Sequence, residues 1–186
     1  GGSLDVDGQG TLLTTTQCLL NKNRNPDMGQ SAIEANLRAY LGVDKILWLG
    51  DGIEGDDTDG HVDDITRFVT PGVVATCVEE DRDHPNFKPL DDNLWTLQNS
   101  TDAHGRQLRV VELPTPKDIL ADGEVLPASH GNFLITNGAV LMPAFGGASD
   151  DVAQRRLQQC FKDRPVVKLP CADLVWGMGA IHCLSQ

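Results

Sequence analysis

One pattern recurs along this chain and restricts what it can fold into: strand, tight turn, strand, helix, strand. Residues 4–6 and 11–16 read as two strands joined through Gly8 and Gly10, since short apolar or β-branched runs bounded by glycine favour a hairpin. Residues 31–41 (SAIEANLRAYL) follow, with Ile33, Leu37, Tyr40 and Leu41 spaced as one helical face. Ser31, with Glu34 three residues on, is the expected cap, and Gly42 the expected stop. Residues 45–49 (KILWL) then form a short buried strand. The order returns with strands at 65–69 and 73–78 around Pro71-Gly72, a helix at 90–97 and a strand at 108–113. It returns again with strands at 132–136 and 139–143 around Asn137-Gly138, a helix at 149–161 capped by Ser149 or Asp150, and a strand at 166–169. Asn-Gly between apolar runs is a strong hairpin signal. Residues 180–184 read as the opening strand of a further unit.

Repetition at this scale predicts an α/β fold of repeated β-β-α-β units, about three present plus the first strand of another. The alternative is an α/β sandwich whose elements merely alternate. The stretch 114–130, rich in Pro, Gly and charge, reads as a surface loop within one domain. With 186 residues, 40% of them hydrophobic, the chain can bury a real core. No apolar run approaches the ~20 residues of a membrane helix, and residues 1–10 lack the basic start and apolar centre of a signal peptide. A net charge of −12 argues against a nucleic-acid partner. It fits a solvated acidic surface first and attraction of small cations second. Cys18, Cys77, Cys160, Cys171 and Cys183 form no C-x-x-C pair or zinc spacing. They read as free thiols of a reducing, intracellular setting.

Two stretches can carry chemistry. Residues 55–68, GDDTDGHVDDITRF, hold His61 and Asp63 two apart. On a strand they would share a face, setting a proton carrier beside a carboxylate. Asp56, Asp57 and Asp59 read as a solvated turn, and the spacing lacks the Glu that closes an EF-hand loop. The chain ends WGMGAIHCLSQ, with Cys183 shortly after Gly177 and Gly179. A reactive thiol needs a His-paired or electropositive setting. His182 would face away from Cys183 if this segment were a strand, which makes His61 the better partner. The glycines either admit a substrate closely or simply make a turn.

These stretches, with GGSLDVDGQGTLLTTTQCLLNKNRNP and NFLITNGAVLMPAFG, are together similar to the agmatine deiminase / bacterial-type (Porphyromonas-type) peptidyl-arginine deiminase family, across residues 1–186. The resemblance implies a pentein-type α/β propeller, five β-β-α-β units around a pseudo-fivefold axis, of which this chain would be the C-terminal part of a single catalytic domain. It implies Cys183 as nucleophile, His61 as general acid/base, Asp63 as the carboxylate gripping a guanidinium, and Gly179 beside the substrate. The implied reaction converts agmatine and water to N-carbamoylputrescine and ammonia through a covalent amidino-cysteine, in putrescine synthesis. It would use no metal or organic cofactor. The implied setting is cytoplasmic, with a small cationic guanidino substrate, no nucleic acid, no membrane and a homodimer within the family's range. A family Glu before Gly1-Gly2 and further acidic ligands would lie outside this chain, which implies that the piece alone is inactive. Departures are Asp5 where the family usually has His, His130-Gly131 where it often has Tyr and a bulky apolar residue, and Met178 and Ala180 where it usually has Gly and Asn. The rivals are a peptidyl-arginine deiminase, an amidinotransferase and a non-catalytic pentein-like binding module.

Overall fold

The computed structural model describes residues 1–185. Its first unit opens with β1 (Asp5–Val6) antiparallel to β2 (Thr11–Thr15). After the short α1 (Thr16–Leu19), α2 (Gln30–Leu41) crosses over to β3 (Lys45–Leu49), parallel to β2. The second unit repeats this as β4 (Thr66–Thr70), β5 (Val73–Val78), α3 (Phe87–Gln98) and β6 (Arg109–Pro114). A small hairpin, β7 (Leu120–Ala121) and β8 (Glu124–Val125), decorates the connecting loop. The third unit is β9 (Leu134–Ile135), β10 (Val140–Ala144), α4 (Ala148–Cys160) and β11 (Val166–Pro170). Each unit is its own three-stranded sheet with the second strand central.

The units join through their helices. On α4, Ala153 and Leu157 pack in one cluster with Val69, Ala75 and Leu113 of the second unit and with Phe133, Val140 and Met142 of the third. On α3, Leu97 packs with Leu13, Leu47 and Leu49 of the first unit and Phe68 and Val74 of the second. The amide of Asn93 on α3 also accepts from Gly50 N–H and donates to the Asp51 carbonyl, holding the helix over the end of β3. A helix thus covers each seam between consecutive units. By contrast α2 buries only Ile33. Tyr40 is 85% exposed, and Leu37, Tyr40 and Leu41 line an apolar cleft of ≈ 330 Å³ with Leu4, Leu19 and Met28.

One buried cation ties the three sheets together. Arg67 on β4 donates from Nε to Asp5 Oδ1 of β1 at 2.8 Å and from Nη1 to the Phe133 carbonyl at 2.9 Å. Its guanidinium lies 5.4 Å from the Phe133 ring centroid. Asp5 Oδ2 accepts from Phe68 N–H at 2.6 Å. Burial raises the Asp5 carboxyl and the Arg67 charge opposes that rise. Nearby, buried His130 meets the Pro114 carbonyl through Nδ1 and Asp150 through Nε2, fastening the third unit to the end of β6.

The repeat is as read from the sequence, with three corrections. Residues 180–184 are turns and not the first strand of another unit; a bond from Leu184 N–H to the Ala180 carbonyl closes the chain on itself. Neither expected side-chain cap forms. Gly29 and Gly147 precede α2 and α4. Glu34 instead accepts from Trp48 Nε1 and Arg38, and Asp150 accepts from Phe145 and Gly146 N–H and from His130. His61 precedes, and Asp63 lies within, a 3-10 turn, Val62–Asp64, and not a strand. Among the described residues no helix is long and apolar enough to cross a membrane.

Removing Arg67 would leave Asp5 buried without its countercharge. Arg67→Met is expected to cost about 3–5 kcal/mol in urea unfolding, and Asp5→Asn with Arg67→Met to recover part of that loss. An unchanged midpoint for the single variant would show the pair to be idle.

Candidate functional site

Three connecting segments converge on one point. The turn before β4 carries His61, Asp63 and Asp64. Asn132 stands two residues before β9, and the turn after β11 ends in His182 and Cys183. The Gly1-Gly2 start completes the wall: Asp63 N–H donates to the Gly2 carbonyl, and a Cβ on Gly2 would lie 2.6 Å from Asp63 Oδ1. Asp57, His61, Asp63, Met178, Gly179 and Cys183 are among the residues that line one open cleft of ≈ 340 Å³. All three residues singled out for chemistry, and Gly179, therefore face one space.

His61 is placed by a carboxylate. Asp56 Oδ2 accepts from Gly60 N–H at 2.9 Å and His61 N–H at 3.0 Å, while Oδ1 accepts from Thr58 N–H. The expectation of Asp56 as a merely solvated turn residue is corrected by these bonds. Thr15 Oγ1 donates to the Gly60 carbonyl from the end of β2. Half-burial lowers the His61 pKa, against the raising pull of Asp63 and Asp56.

The floor is acidic. Asp63 and Asp64 are buried side by side, and Asp63 Oδ1 and Asp64 Oδ2 have no hydrogen-bond partner. Burial, with Asp63 next door, pushes the Asp64 carboxyl well above the usual carboxylate range. Unpartnered buried oxygens are costly, and Asp63, which lines the cleft, offers one to a cation bearing N–H donors.

Cys183 sits above this floor. Its Sγ lies 3.5 Å from Asp63 Oδ2 and 2.9 Å from Asn132 Nδ2. The residue reaches solvent, yet burial of the sulfur, then Asp64 and Asp63, push the thiol up to about 12. His182 departs from expectation: in a turn rather than a strand, its Nδ1 comes within 2.7 Å of Asp63 Oδ2. It therefore braces the carboxylate instead of pointing away from the site. Met178 holds a left-handed φ of 63°, and a Cβ on Gly179 would stand 2.7 Å from Cys183 Cβ and 3.0 Å from Sγ. The glycine is needed for that close approach.

Asn132, Asp64 and His182 were not singled out by sequence. Asn132 heads an apolar hairpin, an unusual place for an amide, and that was the available signal. For a metal, Asp63, Asp64 and Cys183 offer ligand atoms within 4.8 Å of one another. All five cysteines are free thiols, as their spacing suggested.

The repeated β-β-α-β units, each a three-stranded sheet with a crossover helix, define a pentein-type fold. The sequence profile of the Porphyromonas-type peptidyl-arginine deiminase family matches residues 1–186, and the chain belongs to that family. It is 42% identical to a putative agmatine deiminase of Enterococcus faecalis, over 100% of this chain and 56% of the relative. It is also 42% identical to an agmatine deiminase of Stutzerimonas stutzeri, over 100% and 55%. The solved agmatine deiminase of Enterococcus faecalis superposes with a TM-score of 0.95 at 41% identity, covering 100% of this chain and 56% of that one. The C. jejuni C315S agmatine deiminase with substrate bound gives 0.94 at 30%, covering 100% and 54%. An amidinotransferase from Microseira wollei, at 12% identity and a TM-score of 0.57, shares the fold alone. The chain spans about half the length of the curated relatives it matches.

The acidic floor makes a prediction about the thiol. Alkylation of Cys183 without added substrate is expected to keep accelerating with pH up to about 12, whereas an ordinary thiol levels off near ~8.5. A plateau near the ordinary value would mean that neither burial nor the carboxylates act on the sulfur.

Proposed function

We propose that this chain carries the thiol centre of an agmatine deiminase. One observation carries the reading: Cys183, His61 and Asp63 line a single cleft in a chain of this family. The chemistry follows from the surroundings. A guanidinium is planar, cationic and rich in N–H donors. The unpartnered Asp63 Oδ1 supplies an acceptor for it, fixing its central carbon near Cys183.

The same cation activates the nucleophile. Burial and the acidic neighbours hold the thiol protonated, and a guanidinium beside the carboxylates offsets their charge and favours the thiolate. The thiolate adds to the guanidinium carbon. His61, as imidazolium, protonates the departing nitrogen, which leaves as ammonia, and an amidino group remains on sulfur. Neutral His61 then takes a proton from water, whose oxygen adds to the same carbon. The C–S bond breaks and the ureido product leaves. Agmatine and water thus become N-carbamoylputrescine and ammonia, with no electron transfer. The half-buried setting that lowers the His61 pKa suits a group that must return to its neutral form each turnover.

The chain supplies three units, and the rest of a relative's length would supply the others and further carboxylates. The free apolar face of α2 is a surface that another unit of this type would cover, as α3 and α4 are covered. We place the protein in the cytoplasm because its cysteines are free, with a small guanidino cation as its partner.

At the length of its relatives, the protein is expected to release ammonia from agmatine, and Cys183→Ala to abolish that release. Gly179→Ala is expected to lower kcat about a hundredfold by displacing the sulfur. Release from a blocked arginine peptide instead would move the assignment to protein arginine, and release from neither would overturn it. The 186-residue chain alone is expected to be inactive.

A further inference from the structure

Asp63, Asp64 and Cys183 have a second capacity when taken together. Each offers a ligand atom, and the three atoms lie within 4.8 Å of one another. Both carboxylates are buried, at 0% and 1% exposure, and each keeps one oxygen without a hydrogen-bond partner, Asp63 Oδ1 and Asp64 Oδ2. Their other oxygens are held in place. Asp63 Oδ2 meets His182 Nδ1 at 2.7 Å, and Asp64 Oδ1 accepts from Asn132 Nδ2 at 2.8 Å. Carboxylates oriented by an outer ring of hydrogen bonds, each with a free oxygen, are arranged as metal ligands are. Two neighbouring buried acids left this way are costly, and a compact dication relieves both at once.

The spacing to sulfur narrows the choice of ion. Cys183 Sγ stands 3.5 Å from Asp63 Oδ2. Ligands held by one tetrahedral zinc, with Zn–S of about 2.3 Å and Zn–O of about 2.0 Å, stand about 3.5 Å apart. We propose that Asp63, Asp64 and Cys183 form a site for a thiol-binding divalent cation of the zinc class, with water in the fourth position. Carboxylates alone would suit magnesium or calcium, and the sulfur shifts the preference to zinc. Cys183 reaches solvent and Asp63 lines the open cleft, which gives the ion its way in. As the ion binds, the S–H bond breaks, the S–metal bond forms and the proton passes to solvent; no electron changes hands. The ion is no cofactor. It takes the carboxylate and the sulfur that the deiminase reading assigns to the guanidinium and to attack on its carbon. On that reading, the site is a reversible off state, set by free zinc and released by a chelator.

The test uses the full-length protein and zinc sulfate alone, followed by titration calorimetry. The unsubstituted protein is expected to bind one more zinc per chain than Cys183→Ala, and Asp64→Asn to bind that zinc at least about tenfold more weakly. Cobalt(II) in place of zinc reports the ligands directly: a thiolate-to-cobalt charge-transfer band is expected, and its loss in Cys183→Ala. Near-UV circular dichroism reports whether each variant is folded; if Asp64→Asn is not, Cys183→Ala decides. Equal zinc binding by folded Cys183→Ala overturns the inference, as does displacement of the cobalt band by magnesium. Agmatine is expected to compete with zinc, and a chelator to restore ammonia release. If zinc binds through Cys183 but no ammonia is released from agmatine, the deiminase reading fails and the metal site stands. If ammonia is released but zinc does not bind through Cys183, the metal site fails and the deiminase reading stands.

Discussion

The whole arrangement turns on a buried guanidinium. Arg67 sits at the meeting of three separate sheets and bonds to a side chain of the first and a carbonyl of the third while belonging to the second. Three-stranded sheets of two to six residues per strand have little stability singly. They persist here because helices seal their seams and because one cation must be shared by all of them. Burying such a charge is expensive unless it is paired and hydrogen-bonded, so Arg67 admits one mutual placement of the units. That placement brings the turns ahead of β4 and β9 together, and the site is assembled from those turns.

The site inverts the usual logic of a reactive cysteine. Low thiol pKa values come from positive surroundings, yet burial and two adjacent carboxyl groups hold Cys183 in its protonated form. Reactivity would then be conditional, available only with a cation seated on the acidic floor. The excess of acid over base in the chain as a whole is of the same sign, so the protein's field and its cleft favour the same class of ligand. A protonated thiol is also slow to oxidise, which protects a cysteine that reaches solvent.

The repeat was legible because hairpin and helix periods are local: Asn137-Gly138, Gly42 and the apolar spacing of the three helices mark their elements within one to three residues. The caps were misread because Glu34 and Asp150 found partners from other elements, Trp48 and His130, that no local rule anticipates. The site divides similarly. Cys183, His61 and Asp63 stood out by residue type and family resemblance. Asn132 and Asp64 act through contacts spanning 51 and 68 positions of chain, which only the fold provides. His182 was read as turned away on the assumption of a strand, and the turn reverses that geometry.

Ser3, Asp64 and Asn132 each stand two residues before the first strand of their unit, at Asp5, Thr66 and Leu134. They are the same address in three copies of one module. Two of these positions meet, since Asn132 Nδ2 donates to Asp64 Oδ1. The letter differs in each copy: a hydroxyl in one, an acid in the next, an amide in the third. An asymmetric chemistry can arise in this way from a symmetric scaffold, by single substitutions at positions the repeat had already brought together.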